Sequence, residues 1–118
     1  MTKLVFVAGP YFGPNDHVIR MNIEAARQVG RFCLLKGWFP FIPHSNTAMF
    51  QHLGIPEQTY LDGDLLILER MDAVVLCPGW ETSKGTAGEI ERAVQKGIPV
   101  YRFVEELPDL TKAVEAAE

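Results

Sequence analysis

Four short apolar runs, each followed by a segment of helical character, constrain the fold of this chain more than any other feature. The runs span residues 4–8, 38–42, 72–77 and 98–103. Short runs rich in β-branched and aromatic residues are typical of strands that are buried on both faces of a parallel sheet. Pro40 has no N–H to donate to a neighbouring strand, so the second run is expected at a sheet edge.

The segments between these runs predict helices. Asp16 is a suitable N-cap for a helix over residues 17–36, and Gly37 ends it. Further helices are predicted over residues 57–70, 86–96 and 108–117. Residues 43–56 read as a polar connector with a short helical turn around residues 48–50.

This alternation predicts an α/β fold, a three-layer sandwich around a parallel sheet of four, possibly five, strands. Right-handed crossovers from a central first strand give the flavodoxin-like or Rossmann-like order 2-1-3-4. With 118 residues, the chain is predicted to be a single domain, too short for a TIM barrel or an interdomain cleft. Ligands are then expected beyond the carboxyl ends of the strands, where residues 9–16, 43–46, 62–64 and 78–89 converge.

Composition and charge exclude several classes of protein. The net charge of -4 disfavours nucleic-acid binding, and no run approaches the roughly 18 apolar residues of a membrane span. Cys33 and Cys77 lie in apolar runs without metal-ligand spacing, so buried reduced thiols are expected. No signal peptide is recognisable, and we therefore expect a cytoplasmic protein. Because no cluster of metal ligands is present, we also expect no metal, and we expect no cofactor.

The segment 78–89 carries the densest chemical signal. It leaves the third strand, is rich in Gly, Ser and Thr, and enters a helix, where free N–H groups attract anions. Ser83 and Lys84 add a hydroxyl and a positive charge. The spacing matches neither a Walker A loop nor a GxGxxG fingerprint, so alone it indicates a phosphate or sugar site only in general terms.

Glu89 has two interpretations. Thr86 and Glu89 fit a T-x-x-E capping box, in which the glutamate only closes the start of a helix. Alternatively, Glu89 is a carboxylate at the mouth of the sheet that acts as nucleophile or base, with Gly88 allowing a close backbone approach.

Other polar and aromatic residues have weaker signals. Asp64 is placed to face the cleft, whereas Asp62 reads as part of a solvated face. His44 follows the second strand and would reach the carboxyl edge. Tyr11 and Trp80 could stack on a base, but packing is an equally ordinary role for each.

Taken together, these segments resemble the nucleoside 2-deoxyribosyltransferase-like superfamily, which includes the 2-deoxyribosyltransferases and the nucleoside 5′-monophosphate N-glycosidases. The resemblance covers residues 4–103. Its matching pieces are residues 7–11 (VAGPY), Pro43-His44, Asp64 upstream of residues 71–75, and residues 79–85 (GWETSKG) running into residues 88–93.

The resemblance implies that Glu89 is a nucleophile and that Asp64 positions a sugar hydroxyl or assists departure of the base. Ser83, six residues before Glu89, matches the phosphate-contacting serine of the monophosphate N-glycosidases. The implied substrate-binding residues are Gly9, Tyr11, His44, Trp80, Ser83, Lys84 and Gly85.

The sequence departs from the family at two places. Phe6 stands where many members have a tyrosine that holds the nucleophile, so either Tyr11 takes that role or the role is lost. Pro10 and Phe12 stand where the monophosphate N-glycosidases have phosphate-binding residues.

Three functions remain open from the sequence. The leading one is an enzyme that cleaves, or transfers, the N-glycosidic bond of a (deoxy)ribonucleoside 5′-monophosphate. The alternatives are a 2-deoxyribosyltransferase acting on free nucleosides and a non-catalytic nucleotide-binding sensor. Because a single four-stranded layer offers a shallow cleft, we expect a homodimer or higher homo-oligomer in which a second copy completes the site.

Overall fold

The computed structural model describes residues 2–111, in which strands and helices alternate along the chain. The strands are β1 (Lys3–Ala8), β2 (Trp38–Phe41), β3 (Ala73–Leu76) and β4 (Val100–Tyr101). The helices are α1 (Asp16–Leu35), α2 (Pro43–Asn46), α3 (Glu57–Leu68) and α4 (Lys84–Gln95). The helix predicted over residues 108–117 lies for the most part outside the described residues.

The four strands form one parallel sheet in the order β2-β1-β3-β4, which confirms the predicted topology. β2 lies at one edge of the sheet. Pro40 pairs with Val5 of β1, and no strand on its other side needs a backbone N–H from it. The fourth strand is shorter than predicted. Only Val100 and Tyr101 pair with β3, and the chain then bends toward a 3-10 turn at Val104–Glu106.

Helices cover the two faces of the sheet and create two cores. On one face, Val5 and Val7 of β1 pack with Ala26 and Cys33 of α1. On the other, Phe6 and Ala8 pack with Leu68 of α3 and Ala93 of α4. From Val5 to Ala8, neighbouring residues of β1 point to opposite faces and are buried, so this part of the strand is apolar without alternation.

The start of α1 differs by one residue from the prediction. Asn15, not Asp16, is the N-cap, and its side chain accepts a hydrogen bond from the Val18 N–H at 3.0 Å. Asp16 lies in the first turn, where its negative charge favours the helix dipole.

The helix α3 is apolar over much of its surface but is poorly covered. It ends at Leu68, two residues before the predicted end, and Leu68 is its only buried residue. Leu66 is 65% exposed. On α4, Val94 is 68% exposed, so α3 and α4 leave apolar side chains uncovered on this side of the molecule.

Cys33 and Cys77 are buried free thiols, as predicted, and burial raises their pKa values to about 11 and about 12. Within residues 2–111, no helix is long and apolar enough to span a bilayer.

Candidate active site

A cavity of about 340 Å³ opens at the carboxyl ends of the strands. This volume is within the usual range for small-molecule sites. The four segments expected to converge there all contribute to it. The residues predicted from the sequence that line it are Gly9, Tyr11, His44, Asp64, Ser83, Lys84, Gly85 and Glu89.

The helix α4 begins two residues earlier than predicted, because Ser83 and not Thr86 is its N-cap. The Ser83 Oγ accepts hydrogen bonds from the Thr86 N–H at 3.2 Å and from the Thr86 Oγ1 at 3.0 Å. Its own hydroxyl hydrogen is therefore left for a ligand. The N–H groups of Lys84 and Gly85 have no acceptor among the described residues.

This start of the helix excludes the capping-box interpretation of Glu89. Glu89 lies six residues after the N-cap, in the second turn of α4, and too far along to close the helix start. Within residues 2–111 its carboxylate has no hydrogen-bond partner, although the side chain lines the cavity and is only 6% exposed. Burial, followed by the charge of Asp64, raises the pKa of Glu89 to about 8.

Asp64 reaches the same cavity from α3. Its side chain is half-buried, and burial raises its pKa to about 6. Glu89 and Asp64 thus form a pair of carboxylates at one end of the cavity, supplied by two adjacent helices. Such an environment is common where carboxylates carry out chemistry.

His44 follows β2 and lines the cavity, as expected, from the short helix α2, and it is 4% exposed. Its Nε2 donates to the carbonyl oxygens of Gly9 at 3.1 Å and Pro10 at 2.9 Å. The Nδ1 is buried and has no partner in the described part of the chain. Burial lowers the pKa of His44, which favours the neutral ring. The two hydrogen bonds from Nε2 hold the first loop against α2.

Tyr11 lines the cavity, but its hydroxyl bonds away from Glu89. It accepts a hydrogen bond from the Met49 N–H at 2.9 Å and lies within bonding distance of Gln51 Oε1 and the Thr47 carbonyl. Of the two alternatives for the missing strand tyrosine, substitution by Tyr11 does not occur in this structure, because its hydroxyl does not bond to Glu89.

Trp80 is not among the residues that line the cavity. It packs instead against the core that contains Phe6 and Leu76. A Cβ at Gly88 would meet no atom of the described residues within 4 Å. Among the glycines that line the cavity, two are closely approached by neighbouring side chains. A Cβ at Gly9 would lie 2.5 Å from the Cys77 Cβ, and one at Gly85 would lie 3.1 Å from a methyl of Leu61.

One side of the cavity, which sequence reasoning did not identify, is apolar. We call it the apolar wall, and it consists of Phe12, Phe50, Ile55, Tyr60 and Leu61. The connector supplies two of these residues and α3 two more. Phe50 and Ile55 interrupt a polar segment, which was the available signal, but no local pattern indicated that they share a cavity with Glu89.

The polar residues of the lining, which we call the polar wall, are Asp64, Ser83, Lys84, Thr86 and Glu89. Lys84 is the basic residue on this wall, beside the start of α4. A ligand with a planar apolar end and an anionic end fits this division, with its central part beside the two carboxylates. Among the described residues, no three His, Cys, Asp or Glu side chains are grouped to hold a metal ion.

A second cavity of about 210 Å³ lies between α3 and α4. Its lining residues are Gln58, Leu61, Leu65, Lys84, Gly85, Gly88 and Glu89. Glu89 therefore borders both cavities.

Comparison with known proteins gives a family and a fold. Residues 3–103 match the model of a family described as a domain of unknown function, DUF7768. No curated protein sequence matches the chain. Among solved structures, the chain is similar to a 2-deoxyribosyltransferase from the psychrotolerant bacterium Bacillus psychrosaccharolyticus. The TM-score is 0.58 and the identity 23%, covering 82% of this chain and 69% of that one. The fold is therefore deoxyribosyltransferase-like, as the resemblance predicted.

Proposed function

The chain belongs to the DUF7768 family, whose function is not defined, and from its site we propose that it cleaves the N-glycosidic bond of a (deoxy)ribonucleoside 5′-monophosphate. The observation that carries this proposal is Glu89. It is a buried carboxylate at the cavity, and no hydrogen bond within residues 2–111 holds it for a structural purpose.

The reaction has two displacements. The ionised Glu89 carboxylate attacks the anomeric carbon of the sugar, and the base leaves with the electron pair of the C–N bond and gains a proton from water. Water then attacks the same carbon, loses a proton and releases the Glu89 carboxylate with the free sugar phosphate. This is the chemistry of a retaining glycosidase, with an oxocarbenium-like transition state.

Asp64 supports both steps as a hydrogen-bond acceptor. With a pKa of about 6 it is ionised at neutral pH, where it can hold a sugar hydroxyl beside Glu89. The negative charge of Asp64 also stabilises the positive charge that develops on the sugar ring. No metal is needed for a carboxylate nucleophile.

The polar wall supports a 5′-phosphate as the anionic end of the substrate. The Ser83 hydroxyl, the Lys84 ammonium and the free N–H groups at the start of α4 form one set of donors. The base then lies along the apolar wall, where aromatic rings can stack on it.

A transferase acting on free nucleosides is the second candidate. The similarity to a 2-deoxyribosyltransferase favours it. So do Pro10 and Phe12, which border the cavity where the monophosphate N-glycosidases carry phosphate-binding side chains. In that reaction a second base, not water, attacks the glycosyl-enzyme.

The test is incubation with a panel of nucleoside 5′-monophosphates and the matching nucleosides, followed by measurement of the free base. Release from monophosphates alone supports the proposed function. Exchange that requires an added base supports the transferase. Binding of nucleotides without any turnover would instead identify a non-catalytic nucleotide-binding domain.

A second copy of the chain is the proposed partner. Leu66 and Val94 are uncovered, and the smaller cavity gives Glu89 a second opening between α3 and α4. A copy docked across α3 and α4 would bury these apolar side chains and exclude water from the nucleophile. The working unit in this proposal is a homodimer or a higher homo-oligomer.

A further inference from the structure

The Tyr11 hydroxyl joins the first loop to the connector by a group of hydrogen bonds, which we call the tether. The Met49 N–H donates to this hydroxyl at 2.9 Å. The hydroxyl hydrogen has two acceptors within reach, Gln51 Oε1 at 3.3 Å and the Thr47 carbonyl oxygen at 3.4 Å. The donor and an acceptor position of the hydroxyl are therefore both used within the protein.

Met49 has an unfavourable backbone conformation. Its φ of 61° is the only positive φ at a non-glycine residue among the described residues. A side chain disfavours this left-handed region because its Cβ crowds the backbone, so neighbouring contacts must hold it there. The bond from the Met49 N–H to Tyr11 is such a contact.

Both ends of the tether are anchored to the first part of α1. The Asn22 side-chain amide donates to the carbonyl of Tyr11 at 3.0 Å, and the Gln51 amide donates to Asp16 Oδ1 at 3.2 Å. The tether thus fixes the connector relative to a long helix of the core, through a bond that spans 38 positions of the chain between Tyr11 and Met49.

Residues next to Met49 complete the cavity. Phe50 belongs to the apolar wall, and Thr47 and Gln51 line the cavity beside it. We infer that Tyr11 is a positioning residue, whose hydroxyl holds residues 47–51 so that the apolar wall can receive the base of the substrate. This inference rests on the proposed function, because it assigns the base to that wall.

Hydrogen exchange tests the tether without any ligand. In Tyr11→Phe, the amide of Met49 should exchange at least about fivefold faster, since its acceptor is gone. Tyr101→Phe is the matched control, because Tyr101 lies in β4 outside the cavity and should leave this amide unchanged. Unchanged exchange at Met49 in Tyr11→Phe would overturn the inference.

Binding then tests what the tether positions. By calorimetry in a Glu89→Gln background, which prevents turnover, Tyr11→Phe should weaken nucleoside 5′-monophosphate binding about fivefold. Ribose 5-phosphate, which has no base, should bind as before. Adding Met49→Gly should recover much of the lost affinity, because glycine adopts a positive φ without crowding.

An equal loss of affinity for both ligands, or no recovery with Met49→Gly, would mean that the Tyr11 hydroxyl contacts the ligand itself and would overturn the inference. If the wild-type chain binds neither ligand, the proposed function fails. The exchange measurement still separates that failure from a failure of the tether.

Discussion

The two walls of the cavity are built in different ways. The polar wall is held by local contacts, since the Ser83 side chain caps the helix whose second turn carries Glu89. The apolar wall is held by contacts over long stretches of sequence, through Tyr11 and residues 47–51. Catalysis at the polar wall should therefore be lost when a single side-chain group is removed. Binding at the apolar wall should be weakened when residues 47–51 change position.

The largest effect is expected at Glu89. Glu89→Gln should lower kcat at least about a thousandfold, because the amide cannot form the glycosyl-enzyme. Glu91→Gln, on the exposed side of the same helix, is the matched control and should keep full activity. Full activity in Glu89→Gln, with native circular dichroism, would rule out the nucleophile.

The same substitution should stabilise the fold. Glu89 has an ordinary pKa of 4.5 and a folded pKa of about 8, so its stabilising contribution is present below pH 4.5 and is lost as the pH rises through 8. Glu89→Gln should raise the free energy of unfolding at pH 8 by on the order of 1 kcal/mol, roughly 4 °C in Tm. It should do less at pH 5. Equal effects at both pH values would contradict the burial of an ionisable group.

Asp64→Asn should lower kcat roughly tenfold to a hundredfold, the loss expected for one charge-assisted hydrogen bond. It should also move the acidic limb of the kcat/KM profile to lower pH, because the Asp64 charge raises the pKa of Glu89. Asp62→Asn is the control, since Asp62 is exposed and bonded to Gln58. A limb that stays in place would show that the two carboxylates do not interact.

Leu66→Glu tests the proposed dimer at α3. A buried charge would disrupt the proposed dimer, so light scattering should report a monomer and activity should fall about tenfold. Leu35→Glu on α1, where the leucine is 74% exposed, should leave the assembly intact. A wild-type chain that is monomeric and fully active would contradict this arrangement.

The smallest effect is expected at Ser83. Ser83→Ala removes the cap of α4 and should cost about 1 kcal/mol in the free energy of unfolding. It should also raise KM for a nucleoside monophosphate about fivefold while leaving KM for the nucleoside unchanged. An equal rise for both substrates would show that only the helix start was disturbed, with no phosphate contact.

The polar wall was easier to predict from the sequence than the apolar wall. The four strands and their order followed from apolar runs and crossover handedness. Ser83 and Glu89 were placed at the cavity because they follow the third strand, and the resemblance added Asp64 and the role of Glu89. The start of α4 was wrong by two residues because Ser83 and Thr86 are both good caps. A local pattern cannot tell which of them is used.

The apolar wall could not be predicted in the same way. Met49 and Gln51 lie 38 and 40 positions after Tyr11. Their bonds to it depend on how the connector folds back onto the first loop. Trp80 illustrates the opposite error. A loop tryptophan suggested ligand stacking, but a nearby core offered it a better packing partner.

The central claim is that Glu89 attacks the anomeric carbon, and the configuration of the product tests it most directly. With methanol competing against water, NMR should show the β-methyl glycoside from a β-nucleotide, because two displacements each invert the carbon once. The α-methyl glycoside would mean a single displacement by the solvent, and it would contradict the assignment of Glu89 as nucleophile.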